Sequence, residues 1–302
     1  MAMRPTAFAA GFCALVALAG IAASRTAPVG GAAQKPRDGR ASSEDILIPL
    51  PGEQLRMHTK VLRPPGRGPF PLAIINHGSS ESSLERAEFP PPYYPVLSQW
   101  LLDRGYAVAL PLRPGHGLTG GPYFEDQGRC ENPDYVKAGL GAAASIQAAI
   151  DFLTAQRDVR KTQVLVLGQS AGGWGALALA SRNPAAVRAV VNLAGGRGGH
   201  ANGEPNNNCA PDRLVEAAGA FGDAAKIPTL WLYAENDSYF APALSNMMYR
   251  RFAAAAAAGG SGGSSEYHLL PPFGPEGHLL ADSGEAIGLW TPILGKFLAE
   301  HP

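Results

Sequence analysis

Along the chain, short apolar runs alternate with longer stretches whose apolar residues recur at helical spacing. The runs at 46–50, 55–62, 72–76, 106–110, 164–167, 189–193, 229–233 and 267–270 read as strands. The later ones are continuously apolar, as expected of parallel strands covered on both faces. Between them, segments 94–104, 133–156, 171–182, 211–221, 241–257 and 284–298 read as helices. Strand, helix, strand in order predicts right-handed crossovers and an α/β, doubly wound, mostly parallel sheet of about eight strands with helices on both faces. The tight Pro51-Gly52 connection instead makes the first two runs an antiparallel hairpin opening the sheet. The alanine tract at 253–258, followed by the Gly/Ser-rich stretch 259–265, reads as a helix end entering a surface loop.

The amino-terminal end departs from this alternation. Met1 to Arg4 carry positive charge, residues 7–23 are apolar and mostly small, and Ala22, Ala23 and Ser24 follow. This is the layout of a cleaved secretory signal over residues 1–24, shorter than the roughly 20 strongly apolar residues that span a bilayer. Phe12 before Cys13 stands where a lipoprotein signal wants a small residue, so no lipid anchor is expected. Residues 25–44 read as a flexible linker, and residues 45–302 as one folded domain in an exported, periplasmic or secreted protein. Beyond the signal only Cys130 and Cys209 remain, 79 residues apart. An even count in an exported chain favours a disulfide, which would contribute roughly 4 kcal/mol on the chain-entropy model. Two separate thiols are the alternative.

Of the 302 residues 46% are apolar and 17% charged, and Lys plus Arg balance Asp plus Glu at 25 each. With no basic run to meet a phosphate backbone, nucleic acid is not an expected partner. No His/Cys/Asp cluster has metal-ligand spacing, and the glycines around Arg197 lack the dinucleotide fingerprint. No cofactor is therefore called for.

The chemistry concentrates where the strand 164–167 runs through Gly168-Gln169-Ser170-Ala171-Gly172 into an Ala/Leu-rich helix. A serine at the apex of such a strand-to-helix turn adopts strained dihedrals with its neighbours close, which accounts for Gly168 and Gly172. The turn exposes the hydroxyl and aims the first helical amides, beginning with Ala171, at an oxyanion formed there.

In these residues the chain resembles the α/β-hydrolase superfamily over nearly all of 45–298, and within it dienelactone-hydrolase-like esterases and serine peptidase domains. The resemblance implies the order nucleophile, acid, histidine, filled here by Ser170, a carboxylate after the strand 229–233, and His278 in a Gly/Pro-rich loop. Asp237 matches the acid position better than Glu235, and His278 is preferred over His58, His77, His116, His200, His268 and His301. The family's His-Gly loop corresponds to His77-Gly78-Ser79, so Gly78 or Ser79 would donate a second backbone N–H alongside Ala171, with His77 bracing the loop. Trp174, Tyr239 and Phe240 are candidates to line a substrate pocket, with plain packing as the alternative. Arg113 and Arg197 are candidates to hold a substrate carboxylate or to form structural ion pairs. Dienelactone hydrolases carry cysteine where this chain has Ser170, so dienelactone is not the expected substrate. Only about 35 residues separate the strands at 189–193 and 229–233, too few for a large lid. The expected activity is hydrolysis of a small or soluble ester or amide through an acyl-enzyme. An envelope peptidase, an acyltransferase and a non-catalytic binding protein are the alternatives, and oligomeric state is left open.

Overall fold

The computed structural model describes residues 40–260, 263–281 and 283–301. The residues expected to form the signal, Cys13 among them, lie outside the described part. The described strands are β1 (Ser42–Pro49), β2 (Arg56–Arg63), β3 (Leu72–Asn76), β4 (Ala107–Pro111), β5 (Val164–Gln169), β6 (Val187–Leu193), β7 (Thr229–Ala234) and β8 (Ser265–Leu270). They form one sheet in the order β1-β2-β4-β3-β5-β6-β7-β8. β1 pairs antiparallel with β2, β2 antiparallel with β4, and every later neighbour is parallel. The eight apolar runs are these eight strands, and the opening pair is a hairpin.

The helices are α1 (Ser83–Ala87), α2 (Pro95–Leu102), α3 (Tyr135–Thr154), α4 (Ala171–Ala180), α5 (Pro211–Ala224), α6 (Pro242–Ala258) and α7 (Ile287–Glu300). Side chains of a strand alternate between faces, so the buried strands feed two cores. Ile74, Val164, Val166, Val190 and Trp231 meet α3, α4, α5 and α6 on one face. Ile75, Leu165, Leu167, Val191 and Leu230 meet α2 and α7 on the other.

The structure differs from the sequence expectations mainly at element ends and in one added helix; β6 begins at Val187, two residues early, and α7 at Ile287, three residues late. β1 begins at Ser42, inside the expected linker, because Ser43 pairs with Leu62 and Glu44 forms an ion pair with Arg63. β8 begins at Ser265, two residues early, through pairing with Thr229. The short helix α1 was not anticipated; Ser82 caps it by accepting from Glu85 N at 3.4 Å. Cys130 and Cys209 form a disulfide, which joins the segment after β4 to the segment after β6.

Candidate active site

The turn between β5 and α4 is held by its backbone. Ser170 has φ 54° and ψ −125°, an uncommon conformation for a residue with a side chain. Its N–H donates to Leu193 O at 3.1 Å, and its carbonyl accepts from Trp174 N at 3.0 Å and Gly196 N at 3.2 Å. The turn closes this tightly only without side chains on either flank. A Cβ at position 168 would lie 2.2 Å from Gly172 O, and one at 172 would lie 2.3 Å from Asn76 O. From the end of β3, the backbone of Gly78 comes so near that a Cβ there would lie 3.2 Å from Ser170 Cβ and 3.7 Å from its Oγ. Ser170 and Ala171, the first residue of α4, open with Ser79, Arg197, Tyr239 and Phe240 onto a cleft of about 520 Å³.

Two further loops converge here. Asp237 is buried three residues beyond β7, and its Oδ1 accepts from Tyr239 N at 2.8 Å and Phe240 N at 2.9 Å. Its Oδ2 lies 3.2 Å from His278 Nδ1. A carboxylate only accepts, so Nδ1 carries the hydrogen and Nε2 is the basic nitrogen of the neutral ring. Glu235, the other carboxylate of this turn, is exposed.

Two side chains that sequence reasoning passed over tie these loops together. Gln169 Nε2 donates to His278 O at 2.8 Å, joining the residue before Ser170 to the histidine loop. Glu276 accepts from His278 N at 2.9 Å and Ser238 N at 3.1 Å, and also from the Ser238 hydroxyl. Burial raises the pKa of Glu276, but these donors and the His278 ring hold it below the usual carboxylate value. The position of Glu276, two residues before His278, is the signal that could have found it.

Stacking orients the imidazole. Tyr239 lies against His278 at 4.2 Å between centroids, and His200 stacks on Tyr239 at 3.6 Å. The Ser170 hydroxyl makes no hydrogen bond to another described residue; the Asp237–His278 pair is buried behind Tyr239, which lines the cleft that Ser170 opens onto.

Behind the Gly78-Ser79 loop lies a buried polar network whose proton order follows from which groups can donate. His116 Nδ1 faces the carbonyls of Arg113 at 3.2 Å and Pro114 at 3.1 Å, so it carries the hydrogen. Its Nε2 therefore accepts from Ser79 Oγ at 2.9 Å. Arg197 Nη2 donates to Tyr123 OH at 2.7 Å, which leaves the phenol hydrogen for Ser79 Oγ at 2.9 Å. The neutral ring this requires is favoured, because burial and the Arg113 charge push the His116 pKa from 6.5 down to about 4. Burial and the same charge lower His77 well below its usual value, and its Nε2 accepts from Arg113 N at 3.0 Å.

Two pocket candidates are corrected. Arg113 is fully buried and donates through Nε to Glu125 Oε1 at 2.5 Å and through Nη2 to Glu125 Oε2 at 3.1 Å, so it holds a loop rather than a ligand. Trp174 is fully buried against Phe221, with Nε1 donating to Tyr135 O at 2.8 Å. Tyr239 and Phe240 do line the cleft. Arg197 lines it too, with its guanidinium also 3.5 Å from Glu81 and 3.6 Å from Glu125. Among the described residues no group of three or more His, Cys, Asp or Glu side chains is placed to hold a metal ion.

Compared with known proteins, residues 74–298 match the model of the alpha/beta hydrolase family. No curated protein matches the chain. Solved structures share its fold at low identity. A protein of Klebsiella pneumoniae assigned as a dienelactone hydrolase is 19% identical with a TM-score of 0.57, covering 85% of this chain and 98% of its own. An esterase of Pyrococcus furiosus is 14% identical with a TM-score of 0.59, covering 86% and 91%. The acylaminoacyl peptidase of Pyrococcus horikoshii is 13% identical with a TM-score of 0.63, covering 87% of this chain but 42% of its own. At these identities the likeness is one of fold.

Proposed function

Since the chain belongs to the alpha/beta hydrolase family, we propose that it is a serine hydrolase that cleaves a carboxylic ester through Ser170, Asp237 and His278. One observation carries the reading: a serine at φ 54° opens onto the cleft, and the residue before it, Gln169, donates to the carbonyl of a histidine whose Nδ1 is 3.2 Å from a buried aspartate. His278 Nε2 takes the Ser170 proton as Oγ attacks the substrate carbonyl, and Asp237 stabilises the imidazolium that results. The tetrahedral oxyanion accepts from the N–H of Ala171 and from that of Gly78 or Ser79. The Ser79 hydroxyl does not serve, because its hydrogen is directed at His116. The C–O bond to the leaving group then breaks, and the leaving oxygen takes the proton from His278. Water repeats the sequence on the acyl-enzyme, releasing the acid and restoring Ser170. The Ser170–His278 hydrogen bond closes when substrate fills the cleft, as such contacts often tighten only in the complex. The Cys130–Cys209 bridge supports an exported protein working in an oxidising compartment.

The test combines mass spectrometry after a serine-directed fluorophosphonate with turnover of a short-to-long series of p-nitrophenyl esters. Labelling at Ser170 that disappears in His278→Ala, with turnover of some ester, is expected. A folded protein that stays unlabelled removes the catalytic reading and leaves a binding role. Faster product formation with an added alcohol or amine would make it an acyltransferase, and cleavage of peptides but not esters a peptidase.

A further inference from the structure

At the end of the sheet opposite Ser170, four adjacent parallel strands, β4, β3, β5 and β6, begin side by side. The segments that enter them border a second cavity, open to solvent, of about 540 Å³. Three arginines line it: Arg104 before β4, Arg160 before β5, and Arg188, the second residue of β6. The rest of the lining is Gly68 to Pro71, Gly105, Tyr106 and Gln163, with no Asp or Glu.

Each guanidinium is held by neutral acceptors alone. Arg104 lies 3.6 Å over the Trp100 ring and donates to Trp100 O at 3.1 Å. Arg160 donates to Gln163 Oε1 at 2.6 Å and Pro69 O at 3.4 Å. Arg188 donates to Tyr106 OH at 2.8 Å. None of the three forms an ion pair among the described residues, although the chain carries as many acidic as basic side chains. The carbonyl end of α2 offsets part of the Arg104 charge. Arg160 and Arg188 stand on a loop and a strand without such help. Arg104 and Arg160 are exposed and free to turn toward a ligand, whereas Arg188 is half-buried. Its Nε is shut off from solvent and has no acceptor, a cost that a ligand oxygen would remove.

We propose that this cavity binds a phosphate group, borne on a small molecule or on a lipid headgroup. Guanidinium groups present paired donors that match phosphate oxygens, and three of them around one cavity repel one another until an anion enters. The cavity exceeds the size of phosphate alone, and Phe70, Pro69 and Pro71 supply apolar surface for whatever carries it.

The full chain is titrated calorimetrically with inorganic phosphate and with glycerol phosphate at constant ionic strength, using chloride as the control. In parallel it is sedimented with vesicles of phosphatidylcholine, alone or mixed with phosphatidate. Saturable heat with a phosphate compound identifies a small-molecule ligand; sedimentation with phosphatidate vesicles and no heat identifies the headgroup. In either case binding weakens at least tenfold in the triple variant R104Q/R160Q/R188Q, and in R188Q alone should the triple variant not fold. Binding by neither route, or binding unchanged in these variants, overturns the proposal. The readout is binding, so it stands apart from whether Ser170 turns over an ester.

Discussion

The two ends of the parallel sheet both carry arginines, and they treat them in opposite ways. At the carboxyl end Arg113 and Arg197 are buried and face Glu125, with Tyr123, Gln127 and Glu81 filling most of the remaining positions. At the amino end Arg104, Arg160 and Arg188 donate only to carbonyls, an amide and a phenol, with Arg104 also lying over the Trp100 ring. A guanidinium closed into a network with a carboxylate is spent on architecture: it holds the loops on which Ser79 and the cleft wall stand. A guanidinium fixed by neutral acceptors keeps its field and remains available to something outside the protein.

The largest expected effect tests whether the carboxyl end performs chemistry at all. Ser170→Ala should lower ester turnover by a factor on the order of 10⁴ to 10⁶ while the melting temperature holds or rises. Retained turnover would move the reaction elsewhere. Next, Glu125→Gln leaves two buried guanidinium groups without their shared carboxylate, and should cost about 3–5 kcal/mol in urea unfolding. A loss below about 1 kcal/mol would mean that the network is not what holds these loops.

Acid should separate the ends further. Folding keeps His116 neutral with a pKa near 4 against the ordinary 6.5, so as pH falls the unfolded chain takes up the proton first. Stability should therefore decline from about pH 6.5 and level near pH 4, by roughly 3 kcal/mol from this group, with His77 adding in the same direction. Glu125, whose pKa is held low by Arg113 despite burial, extends the loss below its usual 4.5. Denaturant melts at each pH should show a shallower slope in His116→Asn, and an unchanged slope would remove His116 as the cause. The smallest effect belongs to the amino end: Arg188→Gln should change stability by no more than about 0.5 kcal/mol, and removing one of three like charges makes a slight gain the expected sign.

The same contrast explains what could be read from the chain. Strands buried on both faces announce themselves as apolar runs, and the turn holding Ser170 is local, so its glycines and the helix behind it sit in consecutive positions. The contact between Asp237 and His278 was within reach because Asp237 follows β7 by three residues and His278 sits in the loop after β8, where the resemblance expects an acid and a histidine. The network behind Ser79 was not, because Tyr123, Glu125 and Gln127 sit in a stretch without periodicity, and nothing in sequence places Glu125 against Arg113. Trp174 misled because nearness in sequence to Ser170 is not nearness in space. One turn along α4 its side chain points away from the cleft, into the core beside Phe221. The amino-end arginines are scattered over 84 positions and meet only because their strands start together.

The backbone at Ser170 also bears on how such a protein can change over time. At φ 54° and ψ −125° glycine would sit with less strain than serine, so the substitution most damaging to the proposed chemistry is among those the fold would most readily accept. A lineage released from selection for turnover should drift toward glycine at this position and gain stability as it does so, becoming a sturdier protein with an empty apex.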